Sequence, residues 1–167
     1  MTDATVPELA TEPTSDFIVH VQYLKELSFN SPNPLEHFTD KEEVKPDINV
    51  NVQVNARHLI ENMFEVLLEI DAGAKRKNSV MFTCKVQYAA LISLRIEQHD
   101  NVENVRKILL EDCPHLIFPF ARNIISDTTR DSGFPPLLLQ PVDFVALNKS
   151  QNVKKEVVVK DVVEQVH

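Results

Sequence analysis

The side chains able to do chemistry in this chain are scattered. Histidines stand at 20, 37, 58, 99, 115 and 167, and none falls in an HExxH pair or another local ligand cluster, so no metal site is expected. Cys84 and Cys113 are 29 positions apart (113 − 84) with no CxxC. That spacing suggests neither a disulfide framework nor a zinc knuckle and leaves two buried thiols. Glu65, Glu69 and Asp71 alternate along one run; they read as a solvated sheet face, because a catalytic carboxylate pair needs unlike environments to separate its pKa values. Ser28, Ser93 and Ser126 have no neighbouring base that the sequence places. An enzyme working in an apolar cavity would need a clustered, perturbed couple such as His115 with Asp112. The expectation is a protein that is not an enzyme.

Glycine excludes more. Gly73 and Gly133 are the only two in 167 residues, where ordinary usage gives about twelve. A P-loop, a GxGxxG turn, a GxSxG elbow and a kinase glycine loop each need backbone that approaches a ligand without a Cβ, so no nucleotide cofactor is expected. The formal charge is −8, from 17 Lys and Arg against 25 Asp and Glu, which opposes binding to a phosphate backbone. The acidic first residues lack a secretory n-region and h-region, and no apolar run reaches the length of a membrane span. A cytoplasmic protein is expected, with no nucleic-acid partner and no membrane insertion.

The elements that must position any site follow from periodicity. Residues 1–16 combine prolines, small polar side chains and acids without apolar period and read as a disordered acidic tail. From Phe17 both alternating sets are partly apolar, a strand covered on two faces. Asn30-Ser31-Pro32-Asn33-Pro34 is turn-rich, followed by a loop carrying Leu35 and Phe38. Ile48, Val50, Val52 and Val54 alternate with Asn49, Asn51, Gln53 and Asn55, a half-solvated antiparallel strand. Strands over 63–72 and 80–96 flank a basic hairpin. Asp100 or Asn101 caps a helix that should stop at Cys113, since Pro114 cannot continue the ladder. A second helix, 116–130, takes Pro119 in its first turn and ends at Gly133. Residues 134–141 form a stiff extended apolar segment and 142–147 a last short turn; 148–167 read as a mobile tail.

Four strands followed by helices give an α+β fold, a four-stranded antiparallel sheet with helices packed on one face, in a single domain over 17–147. Strands that are apolar on both sides leave more greasy surface than a monomer exposes, so an oligomer is expected. Three apolar segments lie beside prolines: Phe29, Leu35 and Phe38; then Ile117, Phe118 and Phe120; then Phe134, Leu137 and Leu139. Rigid walls lower the ordering cost of binding an extended apolar segment, so together they read as a preformed groove for peptides. A carrier of a small apolar ligand draws on the same residues but needs a closed pocket.

The stretch Cys113-Pro114-His115-Leu116-Ile117-Phe118-Pro119-Phe120-Ala121-Arg122, the stretch Gly133-Phe134-Pro135-Pro136-Leu137-Leu138-Leu139-Gln140-Pro141-Val142-Asp143-Phe144, and upstream Leu27-Ser28-Phe29-Asn30-Ser31-Pro32-Asn33-Pro34 occur in this order. They resemble the CPxxLFPYAR, GFPxLxLxPVxF and ISFExPNxP segments of the SecB protein-export chaperones, over about residues 17–147. The resemblance implies a homotetramer, a dimer of dimers. It would hold unfolded secretory precursors without ATP or metal and pass them to the SecA motor ATPase. The peptide-binding groove is expected to be lined by Phe29, Leu35, Phe38, Phe118, Phe134 and Leu137, and the resemblance implies a subunit contact at Cys84, Val86 and Tyr88 and a motor contact at Glu26. Asn30 and Lys85 stand where that family commonly has acids, so a general stress holdase without an export partner is the alternative.

Overall fold

A computed structural model describes residues 16–95 and 101–151. Of the expected tail over 1–16, residues 1–15 lie outside the described residues, as do the end of the fourth strand at residue 96, Asp100 as a cap, and, of the expected tail over 148–167, the part beyond 151; residues 148–151 are described and helical.

The chain lays down β1 (Phe17–Asn30), α1 (Pro34–Thr39), β2 (Asp47–Ile60), β3 (Met63–Arg76) and β4 (Ser79–Leu94), then α2 (Val102–Lys107) and α3 (Cys113–Asp131) joined by a π-helical turn, Ile108–Asp112. Residues 144–151 are helical again. The sheet order is β1-β4-β3-β2, all neighbours antiparallel. Strands β2, β3 and β4 thus form a meander, and β1 crosses over to pair with β4. The expected α+β fold with a four-stranded antiparallel sheet is the observed one.

Period two sorts the strands into two faces. Val54, Phe64, Val66, Leu68, Ile70, Cys84, Val86, Ala90 and Ile92 share one face and are buried with Ile108, Leu109, Cys113, Ile117, Ala121 and Ile125 of the helical rod. The opposite face carries Asn49, Asn51, Gln53 and Asn55 of β2, all exposed.

Three local expectations differ from the structure. The segment after Asn33 is not a loop but the six-residue helix α1, with Pro34 in its first turn, where a missing N–H costs nothing. The helix from Val102 does not stop at Pro114 either. In the π turn the Cys113 N–H reaches the Ile108 carbonyl five residues back. The ladder widens just before Pro114, the residue with no N–H to give, and the rod runs on from Val102 to Asp131. Pro119 sits inside α3 and not in its first turn. The ends follow the sequence. Asn101 Oδ1 accepts the N–H groups of Glu103 and Asn104 at 3.1 and 3.3 Å, an N-cap. Gly133 has φ +88°. The Gly133 N–H donates to the Arg130 carbonyl and the Phe134 N–H to the Thr129 carbonyl, at 3.0 and 3.1 Å. This is the Schellman pattern that glycine favours at a helix end.

Candidate peptide-binding site

Phe29 lies opposite Cys84 in the β1–β4 register, which makes Phe82 its diagonal neighbour on the same face. The two rings stack with centroids 5.6 Å apart. The Schellman turn then aims Phe134 back at them, 6.3 Å from Phe29 and 5.1 Å from Phe82. Phe38, carried by α1, closes the group at 5.1 Å from Phe134. Four rings from four distant parts of the chain thus form one cluster at the end of α3. Phe82 is the member that the groove expected from sequence lacks. Its place in the apolar alternation of β4 marked it as core, and only the register with β1 brings it under Phe29.

Exposure divides the expected groove residues. Leu35 and Phe38 face solvent at 75% and 50%, whereas Phe134 is 5% exposed and forms the floor. Phe29 and Leu137 are half-buried against the core. Phe118 does not join them. It is buried, 6.0 Å from Phe144 in an edge-to-face pair. Phe118 also stands 13 residues before the end of α3, about 20 Å along the helix axis from the ring cluster.

The segment after α3 is pinned by one buried hydroxyl. Thr129 Oγ1 donates to the carbonyls of Ile125 and Ser126 and accepts the Leu137 N–H at 2.9 Å. Thr129 was not among the residues expected at the site, although a buried Thr facing a chain without regular structure is the usual sign of such a tie.

Of the residues expected at a subunit contact, Cys84 and Val86 are 1% and 0% exposed, their side chains packed inside the protomer's own core. Tyr88 keeps surface and stacks on Phe120 at 6.1 Å. Burial also pushes the Cys84 thiol up to about 11, and burial, aided by Asp112, pushes Cys113 up to about 12. Both are apolar packing groups at neutral pH.

On the open face Glu26 is exposed, opposite Gln87. Lys85 lies 3.6 Å from Glu69, which also accepts from Gln87 at 2.5 Å. Glu65 is not solvated as its alternation implied: it is 7% exposed, bonded by Lys25 at 3.1 Å, Arg57 at 2.9 Å and the Tyr23 hydroxyl. Burial pushes Glu65 up, but those bonds and the two cations outweigh it and hold the carboxyl below the usual glutamate range. Burial first, then the Glu65 bond, raises Tyr23 to about 12. His20 Nε2 lies 2.9 Å from Ser93 Oγ, a base beside a serine that the sequence left without one. The pair sits on the solvent-facing side of the sheet, and acyl transfer also needs oxyanion donors and an enclosed substrate.

The hollows differ in lining: Val142, Phe144 and Val145 line one beside the helical rod. Another of about 640 Å³ is lined by Glu103, Arg106, Lys107, Glu111 and Lys149 among others, which does not suit an apolar peptide. Exposed apolar side chains stand on α1, at Leu35 and Phe38, and also along β1, at Ile18, Val21, Leu24 and Leu27.

The family model described as preprotein translocase subunit SecB matches residues 10–155. The chain belongs to the SecB family. It is 38% identical over 151 residues to the protein-export protein SecB of Paramagnetospirillum magneticum, covering 90% of this chain and 93% of that one. It is 39% identical over 154 residues to the SecB of Rhodopseudomonas palustris strain HaA2, covering 92% of each. In fold it is similar to the Mycobacterium tuberculosis SecB-like chaperone, solved in complex with a ChAD peptide from the HigA1 antitoxin. The TM-score is 0.56 at 15% identity, over 76% of this chain and 88% of that one. The chain is therefore a SecB-family protein-export chaperone, a class that is not enzymatic. Among the described residues no helix is long and apolar enough to cross a membrane.

Proposed function

We propose that the chain is an ATP-independent cytoplasmic holdase that captures unfolded secretory precursors at the aromatic cluster under α1, where Phe29, Leu35, Phe134 and Leu137 contact the client and Phe38 lies over the floor, and hands them to a SecA-type motor. The observation that carries this reading is the pair Leu35 and Phe38, largely exposed on a short helix over a rigid aromatic floor. Each client side chain buried there contributes about 1.5 to 3 kcal/mol before ordering costs.

The working form is a homotetramer, a dimer of dimers, in which several such surfaces act on one chain by effective concentration. An outermost strand of 14 residues in β1, with Ile18, Val21, Leu24 and Leu27 exposed, supports association, since such edges are otherwise protected. Glu26 is the motor contact. The pairing of Lys85 with Glu69 reduces the negative field of the same face and favours the second reading, a stress holdase without an export partner.

Light scattering of a chemically unfolded precursor, without nucleotide, tests capture: aggregation is suppressed near one tetramer per client, and absence of suppression refutes the chaperone reading for this chain. Glu26→Lys, measured for motor binding beside intact client binding, separates delivery from holding; unchanged motor affinity removes the Glu26 assignment.

A further inference from the structure

The seat of the Phe38 ring already fits an aromatic side chain. Beneath it lie Phe134 and the bare Cα of Gly133, where a Cβ would stand 3.1 Å from the ring's Cζ. Phe82 completes the floor, 3% exposed. The floor is rigid: Phe82 belongs to the central strand β4, and Gly133 and Phe134 are locked by the Schellman bonds.

What holds the ring in its seat is slight by comparison. Helix α1 has six residues and Asn33 gives it no side-chain cap; so short a helix does not sustain itself in water. Its ties are the buried His37, whose Nε2 lies 3.2 Å from the Val80 carbonyl, Ser31 Oγ just before the helix, which donates to the Met81 carbonyl at 2.6 Å, Asp40 to Arg76 at 3.7 Å, and Glu42 to Lys77. The Glu42–Lys77 pair is exposed and holds weakly, the Asp40–Arg76 pair is long and partly buried, and the Arg76 Nε is buried without a partner. A weakly held ring on a strongly held floor is the arrangement of a removable occupant.

We propose that Phe38 is an intramolecular plug: its ring occupies the subsite for an aromatic side chain of the unfolded client, and the client lifts α1 and exchanges one ring for another. The inference rests on the client-capture reading above. Exchange keeps the aromatic floor from lying bare between clients. It also sets a threshold, because apparent affinity falls by the fraction of molecules whose seat is free.

The test places 4-fluorophenylalanine at position 38 of the full chain and follows fluorine NMR during titration with a short extended peptide carrying one phenylalanine, beside a twin carrying alanine. The phenylalanine peptide converts the packed resonance to a solvent-like one and the twin does not. A resonance unmoved at saturation overturns the plug. In the unlabelled protein, a plug seated about nine-tenths of the time masks affinity about tenfold, so Phe38→Ala binds the peptide more tightly by that order. Weaker binding makes Phe38 a wall of the site and overturns the proposal. If the wild type binds no peptide and no precursor, the capture reading fails by itself, and the plug is then judged with the dye bis-ANS. Phe38→Ala, and separately the double change Asp40→Asn with Glu42→Gln, which leaves the ring intact, must each bind more dye than wild type; equal binding overturns it.

Discussion

Replacing Thr129 by valine keeps the shape of a side chain that is 0% exposed and removes its oxygen. The hydroxyl proton is shared between the carbonyls of Ile125 and Ser126 at 2.9 and 3.0 Å, while the oxygen accepts the Leu137 N–H at 2.9 Å. Those two carbonyls retain their helical N–H donors, so losing the proton costs little. Leu137 has no such reserve, and an orphaned, partly buried N–H costs about 1 to 3 kcal/mol. The added methyl returns up to about 0.8 kcal/mol, leaving a net loss of about 0.2 to 2.2 kcal/mol. With a urea slope of about 2 kcal/mol/M, the unfolding midpoint falls by about 0.1 to 1.1 M at fixed protein concentration. Amide exchange over 134–141 quickens, and precursor affinity falls because Phe134 and Leu137 are no longer fixed on α3. Thr129→Ser keeps the bonds, loses one methyl at a cost of about 0.5 to 1.5 kcal/mol, and retains slow exchange in that segment. If the valine variant unfolds at the wild-type midpoint with unchanged exchange over 134–141, the tie through Thr129 is not what holds the segment.

Gly133→Ala forces a Cβ into φ +88° and to 3.1 Å from the Phe38 ring. The backbone strain costs about 1 to 2 kcal/mol, and faster hydrogen exchange in α1 accompanies it; a stability equal to wild type contradicts the contact. Glu65 is held below the ordinary glutamate range, so its stabilisation is complete above the unfolded pKa of about 4.3 and drains away as pH falls through the lower folded value. Urea midpoints of wild type and Glu65→Gln should therefore converge on acidification, and a gap that stays constant with pH shows that the carboxylate charge is not what matters. Cys84 and Cys113, raised to about 11 and about 12, should resist a thiol-specific disulfide reagent at pH 8 until the protein unfolds. Rapid labelling of the native protein is the result that rejects their burial.

What the sequence determined by itself were the features that propagate over a few residues. The alternation from Ile48 to Val54, the cap at Asn101 and the stop at Gly133 each express a local steric or hydrogen-bonding rule, and each stands in the fold where the residues put it. The scarcity of glycine removed whole classes of nucleotide chemistry for the same local reason. The tertiary structure decided what depends on register and on the path of the rod. Phe29 meets Phe82 because β1 pairs with β4, more than fifty residues away. Phe118 and Phe134 look alike beside their prolines, yet one falls on the buried side of a helix and the other just past its end, so only Phe134 reaches the cluster. Glu65 has the same alternation as Glu69, and only the convergence of Arg57 from the adjacent β2 and of Tyr23 and Lys25 reaching across β4 from β1 turns it from a surface acid into a buried one. Pro114 reads as a stop until a π turn upstream relieves it. In each case the deciding interaction joins residues far apart in the chain, and no local pattern carries information about a neighbour that only folding supplies.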